Sequence, residues 1–440
     1  MILFFCATSN AQKKPDPKEI DTKTYVLYSA GKWDELTEVC EDAIDNGIDF
    51  FYLRLRAGIA YYNNANYMSA IGHFEKAMKY NPTDITTMEY LYYSYLFSGR
   101  ESDVLSLISI MPFKLKKKLR VYSKFIYGAY TEGGYTFNND FSNQKKKGSA
   151  IQSNNYNEQS VANNQSYINL SLRHQLGKNI KIFHGYNNIS VSSTKQIFEQ
   201  SQGQKSFDMK TTQDEYYLNV NFNLGGGFDL VTAFHYLNVK YEDINTDVNT
   251  SVNPSVTTYS LTKNTLNDFV ALISLTMNTG HFKLGLKNSI SNLNQATQVQ
   301  NTAQVIFYPL GNLNLYTITD ATLFSDRVWG SKFKNFGILN QLIGWKVFAH
   351  LWMETGYTLG NIYNYNESDA FLVFNNVDKI SNRISLNLIS PVSSHIELSL
   401  RYQYYNQEVA TYFYSNSSNI NTNITNNTNH KIIGGLKWTF

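Results

Sequence analysis

The sequence has few cysteines, few prolines, few charged residues and no long apolar run. Two of its 440 residues are cysteine, seven are proline and 17% are charged, whereas about 25% of an average soluble protein is charged. Two cysteines are too few for a disulfide framework or a cysteine-based metal site. No stretch of about 18 apolar residues follows the N-terminus, which excludes a membrane-spanning helix. The net charge of +3 is too small to indicate a nucleic-acid partner.

Aromatic and uncharged polar residues are abundant instead. Tyr, Phe and Trp number 33, 27 and 5 and together make up 15% of the chain, while Asn, Ser, Thr and Gln take the place of the missing charges. The mean hydropathy of −0.35 is too low for a helical membrane protein. This combination is typical of a β-structure that lies between lipid and water.

The first residues predict the remnant of a signal peptide. A short apolar stretch, Ile2–Phe5, is followed by small residues at Ser9 and Ala11, the −3 and −1 positions of a secretory cleavage site. We interpret residues 1–11 as the end of a signal peptide whose start lies upstream. The alternative is a frayed N-terminus.

Residues 12–120 have the periodicity of a helical repeat. Small, aromatic and apolar residues recur within Phe51–Thr83 at Gly58, Tyr61, Ala70, Phe74, Ala77 and Pro82. Weaker copies lie 34 residues upstream and downstream. This segment resembles a tetratricopeptide repeat, although Arg54 stands where that family usually has a large residue. The small residues allow two antiparallel helices to approach closely, so we predict a periplasmic helical domain over residues 12–120.

The resemblance also implies a binding surface. Tetratricopeptide arrays bind on the concave face of the first helix of each pair. The corresponding residues here are Tyr52, Leu55, Ile59, Tyr62, Asn63, Thr86, Glu89, Tyr93 and Phe97. The expected partner is a periplasmic protein or polymer. The alternative is that these side chains only pack against neighbouring elements.

From residue 121 onward, apolar and polar residues alternate with a period of two. In Tyr216–Leu224 and in Ile396–Tyr404, every second residue is apolar or aromatic, and the residues between them are mainly polar. This period indicates β-strands that have one apolar and one polar face. In a barrel that spans a membrane, the apolar face points to lipid and the polar face lines the lumen.

Short turns and polar loops follow each other along this part of the chain. Candidate turns lie at residues 177–179, 225–227, 278–280, 309–312, 344–346 and 391–393. Candidate loops lie at residues 138–163, 194–212, 242–263, 296–301, 325–331, 362–369 and 410–429. Six turns and seven loops predict about fourteen strands, within a range of about 12–16, with the turns in the periplasm. The predicted fold class is α plus transmembrane β, a small helical module followed by an antiparallel outer-membrane β-barrel over residues 121–440.

The C-terminal residues carry a second resemblance. Ile432, Leu436, Trp438 and Phe440 fall on one face of the last predicted strand. This resembles the end of bacterial outer-membrane barrels, whose final strand closes on Phe after apolar residues at alternate positions. The resemblance implies that Leu436, Trp438 and Phe440 are a signal for the barrel-assembly machinery. It also implies a barrel surrounded by the outer-membrane lipid of a Gram-negative bacterium.

Sequence motifs of enzymes are missing. The eight histidines are scattered, and the chain has no H-E-x-x-H, G-x-S-x-G, phosphate-loop or paired-cysteine motif. His235 or His281 could serve a catalytic group at a barrel rim, but one histidine per strand is more often a polar residue of the lumen. We therefore predict no catalytic residue, no metal, no cofactor and no nucleic-acid partner.

The organisation of the whole chain resembles YaiO-like outer-membrane proteins and exopolysaccharide-export barrels, although the exporters usually carry many more repeats. The first function that this implies is a conduit that passes a solute or exports polysaccharide, with a helical module that docks a partner or cargo. The first alternative is a non-conducting envelope scaffold or secretion-system accessory protein. The second alternative is an outer-membrane enzyme.

Overall fold

The structure, a computed structural model, describes residues 16–150, 156–200, 202–249, 256–328, 330–376, 378–416 and 419–440. The chain divides into two compact units. The first contains the helices up to Val121 together with Leu310–Asn312, and the second contains the β-sheet and consists of Tyr122–Pro309 and Leu313–Phe440. The predicted signal-peptide remnant, residues 1–11, lies outside the described residues.

The helical unit repeats at a constant interval. Its described helices are α1 (Pro17–Ser29), α2 (Trp33–Asp45), α3 (Phe51–Asn63), α4 (Tyr67–Tyr80), α5 (Ile85–Phe97), α6 (Glu101–Ile110) and α7 (Phe113–Leu119). The odd-numbered helices α1, α3 and α5 begin at residues 17, 51 and 85, and α2, α4 and α6 begin at residues 33, 67 and 101. Both series have the 34-residue interval that the sequence predicts. Across the described residues, every helix is too short or too polar to cross a membrane.

Two apolar clusters hold the helical unit together. One contains Phe74, which is fully buried. The close approach of α3 and α4 requires Gly58, because a Cβ atom at this position would lie 2.5 Å from Cε1 of Phe74. The second cluster contains Leu36 and Cys40, and burial raises the pKa of the Cys40 thiol to about 12. Cys40 is therefore a buried, unreactive thiol.

Fourteen strands close into one antiparallel barrel. The described strands are β1 (Ile126–Asn138), β2 (Tyr156–Leu176), β3 (Ile180–Glu199), β4 (Gly203–Gly225), β5 (Phe228–Asn249), β6 (Val256–Thr279), β7 (Phe282–Ser291), β8 (Ala296–Phe307), β9 (Leu315–Val328), β10 (Lys334–Phe348), β11 (Leu351–Ile362), β12 (Tyr365–Glu367), β13 (Leu372–Phe374), β14 (Ile380–Pro391), β15 (Ile396–Asn416) and β16 (Asn419–Thr439). β12 and β13 pair only with each other, and the other fourteen form the barrel. It closes where β1 pairs with β16, from Gly128 opposite Thr439 to Asn138 opposite Asn429. The predicted fold class and strand number are confirmed.

The barrel has two different ends. At the turn end, short connections join β2 to β3, β4 to β5, β6 to β7, β8 to β9, β10 to β11 and β14 to β15. β1 begins and β16 finishes at this same end. The remaining connections lie at the opposite end, which we call the loop end. One of them contains the helix α8 (Phe141–Ala150).

Apolar side chains lie on the outside of the barrel and polar side chains on the inside. On β7, for example, Leu286 is 69% exposed, whereas Ser289 is buried. On β2, Leu170 is exposed and its neighbour Asn169 is buried. This distribution is the reverse of that in a soluble protein and matches a barrel whose surroundings are lipid.

Two predicted connections are in the wrong place. Residues 344–346, predicted as a turn, lie inside β10, and the chain reverses instead at Ala349 and His350. Position 344 requires glycine for packing and not for a turn, because the ring of Tyr316 on the neighbouring strand occupies the space of a Cβ atom. Residues 296–301, predicted as a loop, begin β8, and the connection before it is a 3₁₀ turn at Leu293–Gln295.

Several predicted loops are largely strand. Residues 194–212, 242–263 and 410–429 belong mostly to the hairpins β3–β4, β5–β6 and β15–β16. Their backbone pairing continues beyond the length of about ten residues that spans a membrane, for example from Asn406 opposite Thr428 to Phe413 opposite Asn421. Outside lipid an apolar outer face is no longer required. β15 still buries Val409 and Phe413 in this extension, but residues 419–429 of β16 are mostly Asn and Thr on both faces, so the alternation disappears from that strand while the pairing remains.

Candidate functional site

One connection at the loop end folds into the lumen of the barrel. We call residues 363–376, between β11 and β14, the plug. It contains the hairpin β12–β13, and its tip reverses through three consecutive residues with left-handed φ angles, Ser368 at 53°, Asp369 at 55° and Ala370 at 65°. Non-glycine residues adopt this conformation at an energetic cost that the surrounding structure must offset. The contacts of the plug with the barrel wall meet this requirement.

Three side chains of the wall hold the tip of the plug. The hydroxyl of Tyr217 on β4 donates to the carbonyl oxygen of Asp369 at 2.8 Å. Nδ1 of His235 on β5 lies 2.7 Å from the carbonyl oxygen of Ala370. Nζ of Lys287 on β7 lies 2.9 Å from the Asp369 carboxylate. The wall therefore binds the tip through two backbone carbonyl oxygens and through the Asp369 carboxylate.

The first strand of the plug, β12, is attached to other parts of the wall. Gln300 on β8 donates to the backbone oxygen of Asn366 at 2.8 Å, and the Asn366 amide donates to the hydroxyl of Ser289 on β7 at 2.9 Å. The Glu367 carboxylate lies 2.7 Å from the guanidinium of Arg383 on β14. At least five strands separate β14 from β4, which holds the tip, in either direction around the barrel, so these bonds hold the plug across the lumen.

An aromatic cluster packs against the plug from a further side. The ring centroid of Phe371 lies 5.5 Å from Phe183, 5.2 Å from Tyr217 and 6.4 Å from Tyr130. These three residues belong to β3, β4 and β1. Edge-to-face and tilted ring pairs at such distances contribute about 0.5–1.5 kcal/mol beyond the area they bury. The plug is thus packed as well as hydrogen-bonded.

The histidine that the sequence singles out supports the plug. His235 is fully buried, and its Nε2 lies 3.1 Å from the carboxylate of Glu215. That carboxylate also accepts from the side chains of Asn187, at 2.7 Å, and Gln213. His281 lies in the turn between β6 and β7. In the part of the chain that the structure describes, no three His, Cys, Asp or Glu side chains are arranged to hold a metal ion.

The plug separates two open spaces inside the barrel. A cavity of about 760 Å³ lies towards the loop end, with Tyr167, Arg401 and Lys431 in its wall. A second cavity of about 290 Å³ lies towards the turn end, with Arg383 in its wall. Arg401 and Gln403 line both cavities. We take the plug and these two cavities as the candidate functional site.

The predicted partner-binding residues of the helical unit do not share one environment. Ile59 is only 3% exposed and packs in the core, so it offers no surface. Leu55 packs against the same core, and the Asn63 amide bonds to the backbone oxygen of Ile59 at 2.8 Å. Glu89 is ion-paired with Lys118 at 2.6 Å.

Tyr52 is exposed but lies against its own helix. Its ring contacts Phe51, at a centroid distance of 5.1 Å, and the guanidinium of Arg56, at 5.4 Å. Thr86 is exposed. Neither residue has a ring contact with the remaining three.

Tyr62, Tyr93 and Phe97 meet in an aromatic cluster that also contains Tyr67 and Tyr90. The ring of Tyr62 lies 5.1 Å from that of Tyr90, and Phe97 lies 5.1 Å from Tyr67 and 5.9 Å from Tyr93. Partial burial raises the pKa of the Tyr62 hydroxyl to about 12, while Phe97 stays 39% exposed. Tyr90, Tyr93 and Phe97 follow the i, i+3, i+7 spacing of one helix face, which could have identified Tyr90 from the sequence.

The predicted assembly signal lies on the outside of the barrel. Leu436, Trp438 and Phe440 are all exposed, and the rings of Trp438 and Phe440 are 5.3 Å apart. The backbone N–H of Phe440 donates to the carbonyl oxygen of Tyr127 at 2.9 Å. The last residue therefore takes part in the closure of the barrel.

Comparison with known proteins gives only distant similarity. No family model matches the chain, and no curated protein matches it. Among solved structures, a Pseudomonas aeruginosa FadL homologue is 9% identical with a TM-score of 0.43, over 76% of this chain and 92% of that one. The P. putida toluene transporter TodX is 8% identical with a TM-score of 0.45, over the same shares. A point mutant of MamA is 23% identical over 24% of this chain and 74% of that one, with a TM-score of 0.21.

Proposed function

We propose that this protein is an outer-membrane conduit for small solutes and that the plug controls passage through it. The exterior of the barrel is apolar and its interior polar, the distribution that lipid outside and water inside favour. The helical unit is proposed to lie in the periplasm, since turn ends face the periplasm in such barrels and the chain enters β1 at the turn end.

The observation that carries this proposal is the pair of cavities on the two sides of the plug. A barrel that serves only as a scaffold has no need of open space in its lumen, whereas here the lumen retains about 760 Å³ on one side and about 290 Å³ on the other. The left-handed residues at the tip of the plug add a second argument, because strained backbone persists mostly at functional sites. The cargo is proposed to be a small solute rather than a polysaccharide, since cavities of about 300–1,000 Å³ suit small molecules.

Conductance in planar lipid bilayers tests the conduit. Wild-type protein should show rare, small openings, and a variant in which residues 364–376 are replaced by a short Gly-Ser linker should show large, steady conductance. As a control, the same linker is inserted at Gly330, an exposed residue between β9 and β10, where it should change nothing. If the plugless barrel folds but carries no current, the protein is a non-conducting scaffold.

We also propose that the helical unit docks a periplasmic partner through its aromatic cluster. Five rings are grouped on one surface and remain partly exposed, and exposed aromatic groups are enriched at binding hot spots. This second proposal concerns the helical unit alone and does not depend on conduction.

Cross-linking of envelopes followed by co-purification tests the docking surface. Tyr93→Ala and Phe97→Ala should lose the partner while the helical circular dichroism is unchanged. Tyr52→Ala, exposed but outside the cluster, is the matched control and should retain it. Phe74→Ala is the unfolded reference, because emptying a core Phe site costs about 3–5 kcal/mol. If Tyr93→Ala melts the helices as Phe74→Ala does, the cluster is packing surface.

A further inference from the structure

Three cationic side chains stand on three neighbouring strands of the barrel. They are Arg383 on β14, Arg401 on β15 and Lys431 on β16, and each lines one or both lumenal cavities. Arg401 lies opposite Ile433 of β16, and Lys431 lies opposite Gln403. Arg401 and Lys431 are therefore diagonal neighbours, whose Cβ atoms are about 7–8 Å apart in an antiparallel sheet. Side chains of their length can contact one small group between them.

Several acidic side chains of the same lumen are occupied by donors from the protein. Glu132 accepts from the hydroxyls of Tyr130 and, at 2.7 Å, Tyr167. Glu354 accepts from the Tyr316 hydroxyl at 2.5 Å and the Asn387 amide at 2.7 Å. Glu215 is held by the three side chains described above, and Glu367 by Arg383.

The acids nearer the loop end are also bound. Asp326 accepts from the side chain of Gln298 at 3.0 Å, and Asp243 lies 2.8 Å from Nζ of Lys195. Each of these carboxylates already has a partner in the protein. A cation in the solute is thus offered no vacant carboxylate by this set.

The three lumenal cations have fewer hydrogen-bond and ion-pair partners in the protein than their N–H donors could bind. Within the described residues, Arg401 and Lys431 form neither an ion pair nor a hydrogen bond. Lys431 rests on the ring of Tyr167, 5.4 Å from its centroid, and Glu132 and Glu215 attract it from a longer distance. The side chain of Arg383 is 6% exposed, and its Nε and Nη1 are buried without a hydrogen-bond partner. Buried charged donors without acceptors are costly, so this arrangement favours an anion that supplies the acceptors.

We propose that Arg401 and Lys431 form a lumenal binding site for the carboxylate or phosphate group of a small solute. Arg401 lines the cavities on both sides of the plug, and Arg383 continues the basic path on the turn-end side. Guanidinium and ammonium donors bind both kinds of anion through charge-assisted hydrogen bonds. The role of this anion site in substrate passage rests on the proposed conduit, whereas binding of an anion does not require conduction.

Binding of inorganic phosphate and of acetate to the full-length protein in detergent, measured by calorimetry at low ionic strength, tests the site. Wild-type protein should bind one or both, and the comparison shows whether the phosphate or the carboxylate is preferred. Arg401→Gln and Lys431→Gln should each weaken binding by about tenfold or more.

The matched control is Lys195→Gln. Lys195 lines the same cavity but is already paired with Asp243 at 2.8 Å and Glu158 at 3.5 Å, so its loss should change affinity less than the other two substitutions. The characteristic heat-dependent mobility of a folded barrel in gels verifies each variant. No binding of either probe to the wild type, or equal weakening in all three variants, overturns the proposal.

The reversal potential of the plugless barrel in a salt gradient separates this inference from the conduit. Anion selectivity that falls in Arg401→Gln and Lys431→Gln supports the site as part of the conduit. Phosphate or acetate binding without any conductance leaves the site intact and overturns the conduit instead. If the plugless barrel conducts with the same selectivity whether Arg401 and Lys431 are present or replaced, these two residues do not determine the substrate class.

Discussion

The helical unit and the barrel place their apolar residues in opposite positions. In the helical unit Phe74 is completely buried between helices, whereas in the barrel Leu286 is 69% exposed on the outer surface. The same physical effect explains both, because apolar side chains leave water in either case. In one unit they move to the core, and in the other they move into the proposed lipid. The polar residues of the barrel lie on its inside and form its hydrogen-bonded interior.

The largest effect is expected at the last residue of the chain. Phe440→Asp places a charge on the apolar outer face where β16 closes against β1, and it removes the final residue of the proposed assembly signal. The variant should accumulate in the periplasm as protease-sensitive chain. Thr439→Asp, at the preceding residue, adds the same charge off the apolar face and should still insert. Normal outer-membrane, heat-modifiable barrel from Phe440→Asp would show that the terminal residue carries no signal.

A charge on the outer face of the barrel should cost more stability than a charge on the surface of the helical unit. Leu286 is the fifth of the ten residues of β7, near the middle of the proposed span, so Leu286→Arg should cost about 2–4 kcal/mol of barrel stability. Leu96→Arg in the helical unit is the counterpart, because Leu96 is 45% exposed to water and should change stability by less than about 0.5 kcal/mol. Denaturant titration of the barrel folded into lipid vesicles, with circular dichroism of the helices, measures both. Equal costs would mean that the barrel exterior faces water.

The sequence was sufficient for the elements whose surroundings force a regular pattern. The 34-residue interval of the helices follows from a repeat of packing positions, of which Gly58 and Phe74 are examples, because each helix pair packs on the next. The strands that cross the proposed membrane alternate for a similar reason. The ends of the long hairpins could not be predicted, because residues 419–429 of β16 are mostly Asn and Thr on both faces, although its partner β15 still buries Val409 and Phe413.

Most of the candidate site could not be predicted from the sequence. Residues 362–369 resemble any other polar loop, because a segment that fills a polar lumen needs polar side chains just as an exposed loop does. Its partners lie far away in the chain, for example Tyr217 and Asp369. The three lumenal cations do stand at inward positions of the period-two pattern. Only the structure shows that the neighbouring acids are already occupied.

A smaller effect is expected from the glycines of the helical unit. Gly58→Ala would press a methyl group into the ring of Phe74 and should destabilise the helices by about 1–3 kcal/mol. Gly72→Ala is the matched control in α4, where an added Cβ atom meets nothing within 4 Å. It should stabilise the helices by about 0.5–1 kcal/mol through its helix propensity. Thermal unfolding followed by circular dichroism distinguishes the two, and equal shifts would contradict the tight packing.

The smallest effect concerns one of the polar networks within the helical unit. The Glu41 carboxylate accepts from the Tyr61 hydroxyl at 2.8 Å and lies 3.1 Å from Nε2 of His73. The hydrogen bond with His73 is the main cause that lowers the pKa of Glu41 below its ordinary value. The pKa of Glu41 is lower in the folded protein than in the unfolded chain, so the ionised carboxylate stabilises the fold above the unfolded pKa of about 4.3. This contribution is lost as the pH falls through the folded pKa.

Acid titration of thermal stability tests this contribution. Between about pH 5 and pH 3 the melting temperature of the wild-type helices should fall more steeply than that of Glu41→Gln, since the amide has no proton to take up. The side chain of Glu41 is 40% exposed, so solvent screening should keep the difference within about 1 kcal/mol. Glu38→Gln, at an exposed position of the same helix α2, should keep the wild-type slope. Parallel slopes for wild type and Glu41→Gln would show that this network, unlike the polar interior of the barrel, does not stabilise the fold.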